Sequence, residues 1–102
     1  GIHLAVVTDG TAPDRSFDLW RDMKNVQLFQ RFRHKDGNLI PCGKALELVT
    51  IEPARALGVD RLVGSLEVGK DADVAIFRGN PITDLQYTTA YTIINGEIVH
   101  QA

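Results

Sequence analysis

A chain of 102 residues allows one small domain, and 44% hydrophobic with 24% charged residues is the balance of a sequence that builds a core rather than staying disordered. A net charge of −2 offers no basic field for nucleic acid, one cysteine forbids an internal disulfide, and no apolar run approaches the roughly 20 residues of a membrane helix. With no cationic leader, the expectation is a cytoplasmic protein without nucleic-acid or membrane partners.

The first expected element is a strand over residues 1–8, an apolar run that stops on Asp9-Gly10-Thr11. A carboxylate at the carboxyl end of a buried parallel strand stands at the rim of a barrel or open sheet, where α/β enzymes place metal ligands and catalytic bases. Asp9 is therefore the first candidate. Asp-Gly after a strand is also a turn signal, in which the aspartate bonds its own backbone, and the local sequence leaves both readings open.

A helix is expected to open near Asp14 or Ser16 and to run to about His34. Leu19, Met23, Val26, Phe29 and Phe32 or Arg33 form the better apolar stripe, expected to bury against a sheet. Phe17, Trp20, Met23, Val26 or Gln27, and Arg31 form a second, broken row. Asp14, Asp18 and Asp22 load the start with negative charge, and Arg31, Arg33, His34 and Lys35 load the end with positive charge. Both poles of the helix dipole are matched, so the basic cluster reads as a helix terminus rather than a binding patch.

Asp36-Gly37-Asn38 breaks the chain, and Pro41 begins a second helical segment carrying Ala45, Leu46, Leu48 and Val49. Thr50 is the expected N-cap of a third short helix, with Pro53 in its first turn and Gly58 as its stop. Cys42 has no histidine at a nucleophile-pair spacing and reads as inert. From Leu62 onward, strands are expected at 73–78, closed by Gly79-Asn80-Pro81, and at 91–94 and 97–100 around Asn95-Gly96, a strong hairpin signal.

Val63-Gly64-Ser65-Leu66-Glu67-Val68-Gly69-Lys70-Asp71-Ala72-Asp73-Val74-Ala75-Ile76-Phe77, followed by Ile93-Ile94-Asn95-Gly96-Glu97-Ile98-Val99, resembles the carboxyl-terminal signature of the amidohydrolase superfamily. The resemblance extends through Thr8-Asp9-Gly10 and Thr50-Ile51-Glu52-Pro53-Ala54-Arg55-Ala56-Leu57-Gly58, and it is nearest to the chlorohydrolase and aminohydrolase group, with its atrazine-type dechlorinases and adenosine-derivative deaminases. It implies an α/β fold: the last strand and helices of a metal-dependent (β/α)8 barrel in residues 1–61, then the carboxyl-terminal strands of a small composite β-sandwich in 62–102. A complete barrel takes about 250 residues, so only its tail is implied.

The resemblance further implies that Asp9 is both metal ligand and proton shuttle, with Thr8, Gly10, Thr11 and Asp14 lining a substrate site for a small heterocyclic ring. Asp14 and Asp18 read as helix-start charges rather than a catalytic pair, although Asp14 lies in the loop after the barrel strand, and Glu67, Lys70 and Asp71 read as turn residues. The complete enzyme would use a divalent metal, zinc or iron, to remove ammonia or chloride. This chain alone is expected to bind no metal tightly, because His3, His34 and His100 lack the paired spacing of ligands. The alternative is a non-catalytic fragment that folds by self-association, and a homo-oligomer is expected because strands 1–8 and 73–100 lack neighbours along their edges.

Overall fold

The computed structural model describes residues 1–10 and 17–102. The elements are α1 (Leu19–His34), α2 (Cys42–Glu47), α3 (Ile51–Leu57), β1 (Val74–Arg78), β2 (Thr88–Ile94) and β3 (Glu97–Gln101). Among the described residues no helix is long and apolar enough to cross a membrane.

The described part of α1 starts where Asp18, in extended conformation, accepts a hydrogen bond from the Arg21 amide at 3.2 Å. The expected openings at Asp14 and Ser16 lie outside the described residues. Asp22 sits in the first turn and Arg31, Arg33 and His34 in the last, and Lys35 closes the helix in the left-handed conformation.

Along α1 the better-covered face follows Trp20, Met23, Gln27 and Arg31 of the row that looked broken in the sequence, although Phe17 at its start is 74% exposed and Leu19 and Val26 of the apolar stripe are half-buried. Met23 is 2% exposed and belongs to both rows, but Phe29 and Phe32 of the apolar stripe are 64% and 84% exposed. Trp20 instead meets the Phe77 ring edge-on at 5.2 Å, and Lys24 stands 4.9 Å over Tyr87 while donating to the Asp84 carbonyl at 3.1 Å. Further along, Gln27 Nε2 donates to the Ile40 carbonyl at 2.6 Å, and Arg31 reaches the Leu39 and Ile40 carbonyls at 2.7 and 3.1 Å. Long polar side chains lay apolar stems along the surface and spend their heads on loop carbonyls, so a polar row can be an inner face. Ile40 sits at φ 53, unusual for a β-branched residue, with two donors gathered on its carbonyl.

Two short helices follow as expected. Thr50 occupies the N-cap position of α3 but does not cap it; its hydroxyl donates backward to the Leu46 carbonyl at 2.7 Å and joins α3 to the end of α2. Gly58 ends α3 in the left-handed region.

The three strands form an antiparallel sheet in the order β1-β2-β3. Ile94 pairs with Glu97 across Asn95 at φ 51 and Gly96 at φ 81, the two positive values a type I′ turn requires. The turn is latched to the start of β1: the Asn95 amide donates to Asp73 Oδ1 at 2.8 Å and the Gly96 amide to the Ala72 carbonyl at 3.0 Å. In the connection from α3, a Cβ built on Gly64 would stand 2.9 Å from the Ala54 Cβ, and Gly64 has φ +97. Glycine is needed there for both reasons, and it lets the chain lie against α3.

The amino-terminal run does not form the expected strand. Residues 1–10 carry no ladder, and the Val6 amide bonds the Leu48 carbonyl at 2.9 Å instead. A parallel strand needs a neighbour delivered by a crossover, and the described residues offer none.

The core is small. Met23, Ala45, Ala54 and Ala90 are the buried apolar residues among those described, while Leu4, Val7, Leu28, Leu66, Ile98 and Val99 are exposed. The accessible surface is 7671 Å², against about 5,700 Å² expected for a compact monomer of this mass. The radius of gyration is 14.6 Å, against about 12.8 Å expected.

Candidate functional site

Asp9 lies at the end of the amino-terminal segment, exposed, with φ 56. Its neighbours Thr8 and Gly10 are half-buried. Aspartate is among the few residues that tolerate this left-handed conformation, which nevertheless costs energy and recurs where side chains are aimed for function. No hydrogen bond or ion pair joins the Asp9 carboxylate to another described residue, leaving both oxygens able to accept. Thr11 and Asp14, the other expected lining residues, lie outside the described residues.

Among the described residues no group of three or more His, Cys, Asp and Glu side chains converges as a metal site would demand. His34 is in the last turn of α1 and His100 on β3, both exposed, while His3 is engaged elsewhere. Cys42 is half-covered, with Gln27 Nε2 3.9 Å from its sulfur.

What the sequence did not suggest is a charged cluster around Glu52. Its carboxylate receives His3 Nδ1 at 3.1 Å and Arg55 Nη1 at 2.7 Å, with Lys44 Nζ at 3.9 Å. The hydrogen bonds from His3 and then Arg55 hold the Glu52 carboxyl below its ordinary value of 4.5. The Glu52 and Arg55 pair is a readable i, i+3 spacing on α3, but the His3 contact spans 49 positions and has no local signal. A second cluster joins Lys70 to Glu67 at 2.7 Å and to the Ser65 hydroxyl at 2.6 Å. These bonds stay within one turn, consistent with the structural role expected of Glu67 and Lys70.

An open groove of about 1330 Å³ lies between the helices and the sheet, bordered by Trp20, Ile51, Pro53, Val74 and Phe77. Thr8, Asp9 and Gly10 do not border it, so the groove and the candidate carboxylate occupy different parts of the molecule.

Comparison with known proteins gives the context. The sequence pattern described as "Amidohydrolase family" matches residues 1–99. A 5-methylthioadenosine/S-adenosylhomocysteine deaminase of Desulforudis audaxviator (strain MP104C) is 36% identical over 80 residues, covering 78% of this chain and 19% of that protein. An S-triazine hydrolase of Gordonia rubripertincta is 32% identical over 103 residues, covering 96% of this chain and 22% of that protein. The structure of an adenosine deaminase from Xanthomonas campestris with bound zinc superposes on 95% of this chain and 25% of its own, with a TM-score of 0.81 at 23% identity, a likeness of fold. The chain thus spans about a fifth to a quarter of these proteins.

Proposed function

The chain belongs to the amidohydrolase family, and from that premise we propose that it is part of a metal-dependent hydrolase acting on a carbon–nitrogen or carbon–chlorine bond of a heterocyclic ring. The similarity to deaminases of adenosine derivatives and to an S-triazine hydrolase supports the substrate class. In this reading residues 1–61 are the carboxyl-terminal part of a (β/α)8 barrel, and 62–102 are the closing strands of a composite sandwich.

Asp9 carries the chemistry. The supporting observation is an exposed carboxylate with no partner among the described residues, held at φ 56 between half-buried neighbours. Such a group can take a proton from water attacking the ring carbon and return it to the departing nitrogen, which must leave as an amine. Chloride leaves as an anion and needs no proton, so the second half of the shuttle matters for deamination alone. Thr8, Gly10, Thr11 and Asp14 are the proposed lining of the substrate site. A divalent ion, zinc or iron, lowers the pKa of the water it binds. The described residues supply only Asp9 toward the three protein ligands such an ion usually takes, so this chain by itself is not expected to hold the ion tightly.

The test is Asp9→Asn in the complete protein. Loss of a positioned proton-transfer group is expected to lower turnover by about 10² to 10⁴ while the circular dichroism of the helices is unchanged. Full activity in that variant overturns the assignment.

The wide apolar exposure favours a second reading for the chain on its own: an inactive fragment that associates with copies of itself through free strand edges. Sedimentation at micromolar concentration separates the two states, a compact monomer arguing against self-association.

A further inference from the structure

The segment bearing Asp9 has no ladder, so individual bonds decide where it lies. Among the described residues two polar contacts tie it down, from the Val6 amide to the Leu48 carbonyl at the end of α2 and from His3 to Glu52 in the first turn of α3. Val6 stands three residues before Asp9, a reach of about 10 Å for extended chain. One backbone bond therefore bounds the distance of Asp9 from α2 without setting its direction. A second anchor is needed to orient the segment.

Glu52 has the features of that anchor. Its side chain is only 12% exposed, and the nitrogen groups nearest to it come from three places: His3 from the segment, Lys44 from α2 and Arg55 from α3 itself. Lys44 lies closer to Glu47, at 3.0 Å, than to Glu52. The Arg55 pair and a place in the first turn of α3 already satisfy a helical glutamate. The bond to His3 adds nothing that α3 requires, but it fixes a chain segment far away in sequence. We propose that Glu52 is a positioning residue for Asp9, acting through His3 to clamp the amino-terminal segment onto α3. The inference rests on the reading of Asp9 as the functional carboxylate, since a site tolerates displacements of only about 0.5 Å. The neighbouring donors keep Glu52 ionised at neutral pH, which makes the clamp a charge-assisted hydrogen bond.

Amide hydrogen exchange of Val6, measured by NMR in this chain, reports the clamp directly, with the Met23 amide in α1 as the reference for intact folding. Glu52→Ala, which leaves no acceptor for His3, and His3→Ala are each expected to speed Val6 exchange about 2- to 10-fold relative to Met23. The double variant should be no faster than either single one, because both remove the same contact. His3→Gln, whose amide can still donate to Glu52, should recover the protection and return the Asp9 and Gly10 amide resonances to their original positions. Unchanged Val6 exchange in His3→Ala, which removes no helical residue, overturns the proposal, as does an additive double variant. Asp9→Asn should leave Val6 protection as it is, so failure of the Asp9 assignment in turnover and failure of the clamp register in different measurements.

Discussion

Two regions were expected to be strands, and only one became a sheet. Residues 74–101 pair as an antiparallel β1-β2-β3 ladder, whereas residues 1–8 remain irregular although their apolar run is at least as strong. The difference lies in where each strand finds its partner. A hairpin carries its partner across a two-residue turn, and β1 is tied to that hairpin through Asp73 and Ala72. A buried parallel strand depends on a crossover from elsewhere, and apolar character cannot substitute for the missing N–H and C=O groups. Hydrophobicity says what a segment would bury; hydrogen-bond supply decides whether it becomes a strand.

If the comparison is right, stability here depends on few side chains. Met23, the one large buried residue among those described, should cost about 2–5 kcal/mol when replaced by alanine, read from urea unfolding. A loss below about 1 kcal/mol would mean that the principal core lies elsewhere, for instance between two copies. The exposed half of α1 sharpens the point. Phe29→Gln and Phe32→Gln are each expected to stay within about 0.5 kcal/mol of the parent. A larger loss, with sedimentation that depends on concentration, would show that this face is covered in solution.

The smallest effect is expected in acid, at the turn that leads into the sheet. Bonds from Lys70 first, and then Ser65, lower the Glu67 pKa from its ordinary 4.5. A lowered folded-state value means the contribution is complete above 4.5 and fades as pH falls through the folded value. The melting temperature of Glu67→Gln should therefore fall less than that of the parent as pH drops below 4.5, and parallel declines would remove Glu67 from the account.

Much of this architecture was legible because its signals are local. The polarity of α1, the Gly58 stop and the Asn95-Gly96 turn each depend on residues within a few positions of one another. The inner face of α1 was not legible, because Gln27 and Arg31 look solvent-facing until Leu39 and Ile40 bring carbonyls to them. The Thr50 cap failed for a similar reason: a hydroxyl can donate backward as readily as it accepts from the next turn. At the candidate site Asp9 could be singled out by its place after an apolar run. Glu52 could not, since its link to His3 exists only once α3 and the amino-terminal segment are side by side.

The latch on the hairpin turn also bears on chemical ageing. Asn-Gly is the dipeptide most prone to deamidation, because the glycine nitrogen can swing round and attack the asparagine carboxamide to close a succinimide. Here that nitrogen is held as a donor to the Ala72 carbonyl at 3.0 Å, and the dipeptide is fixed at φ 51 and 81. The folded chain should therefore keep Asn95 intact through prolonged storage in mildly alkaline buffer, while the unfolded chain loses it, a difference that peptide mass mapping reads directly. Equal loss from both would mean that the turn opens freely. In the folded protein, the bond that ties the turn to the approach of β1 also sets the shelf life of that turn.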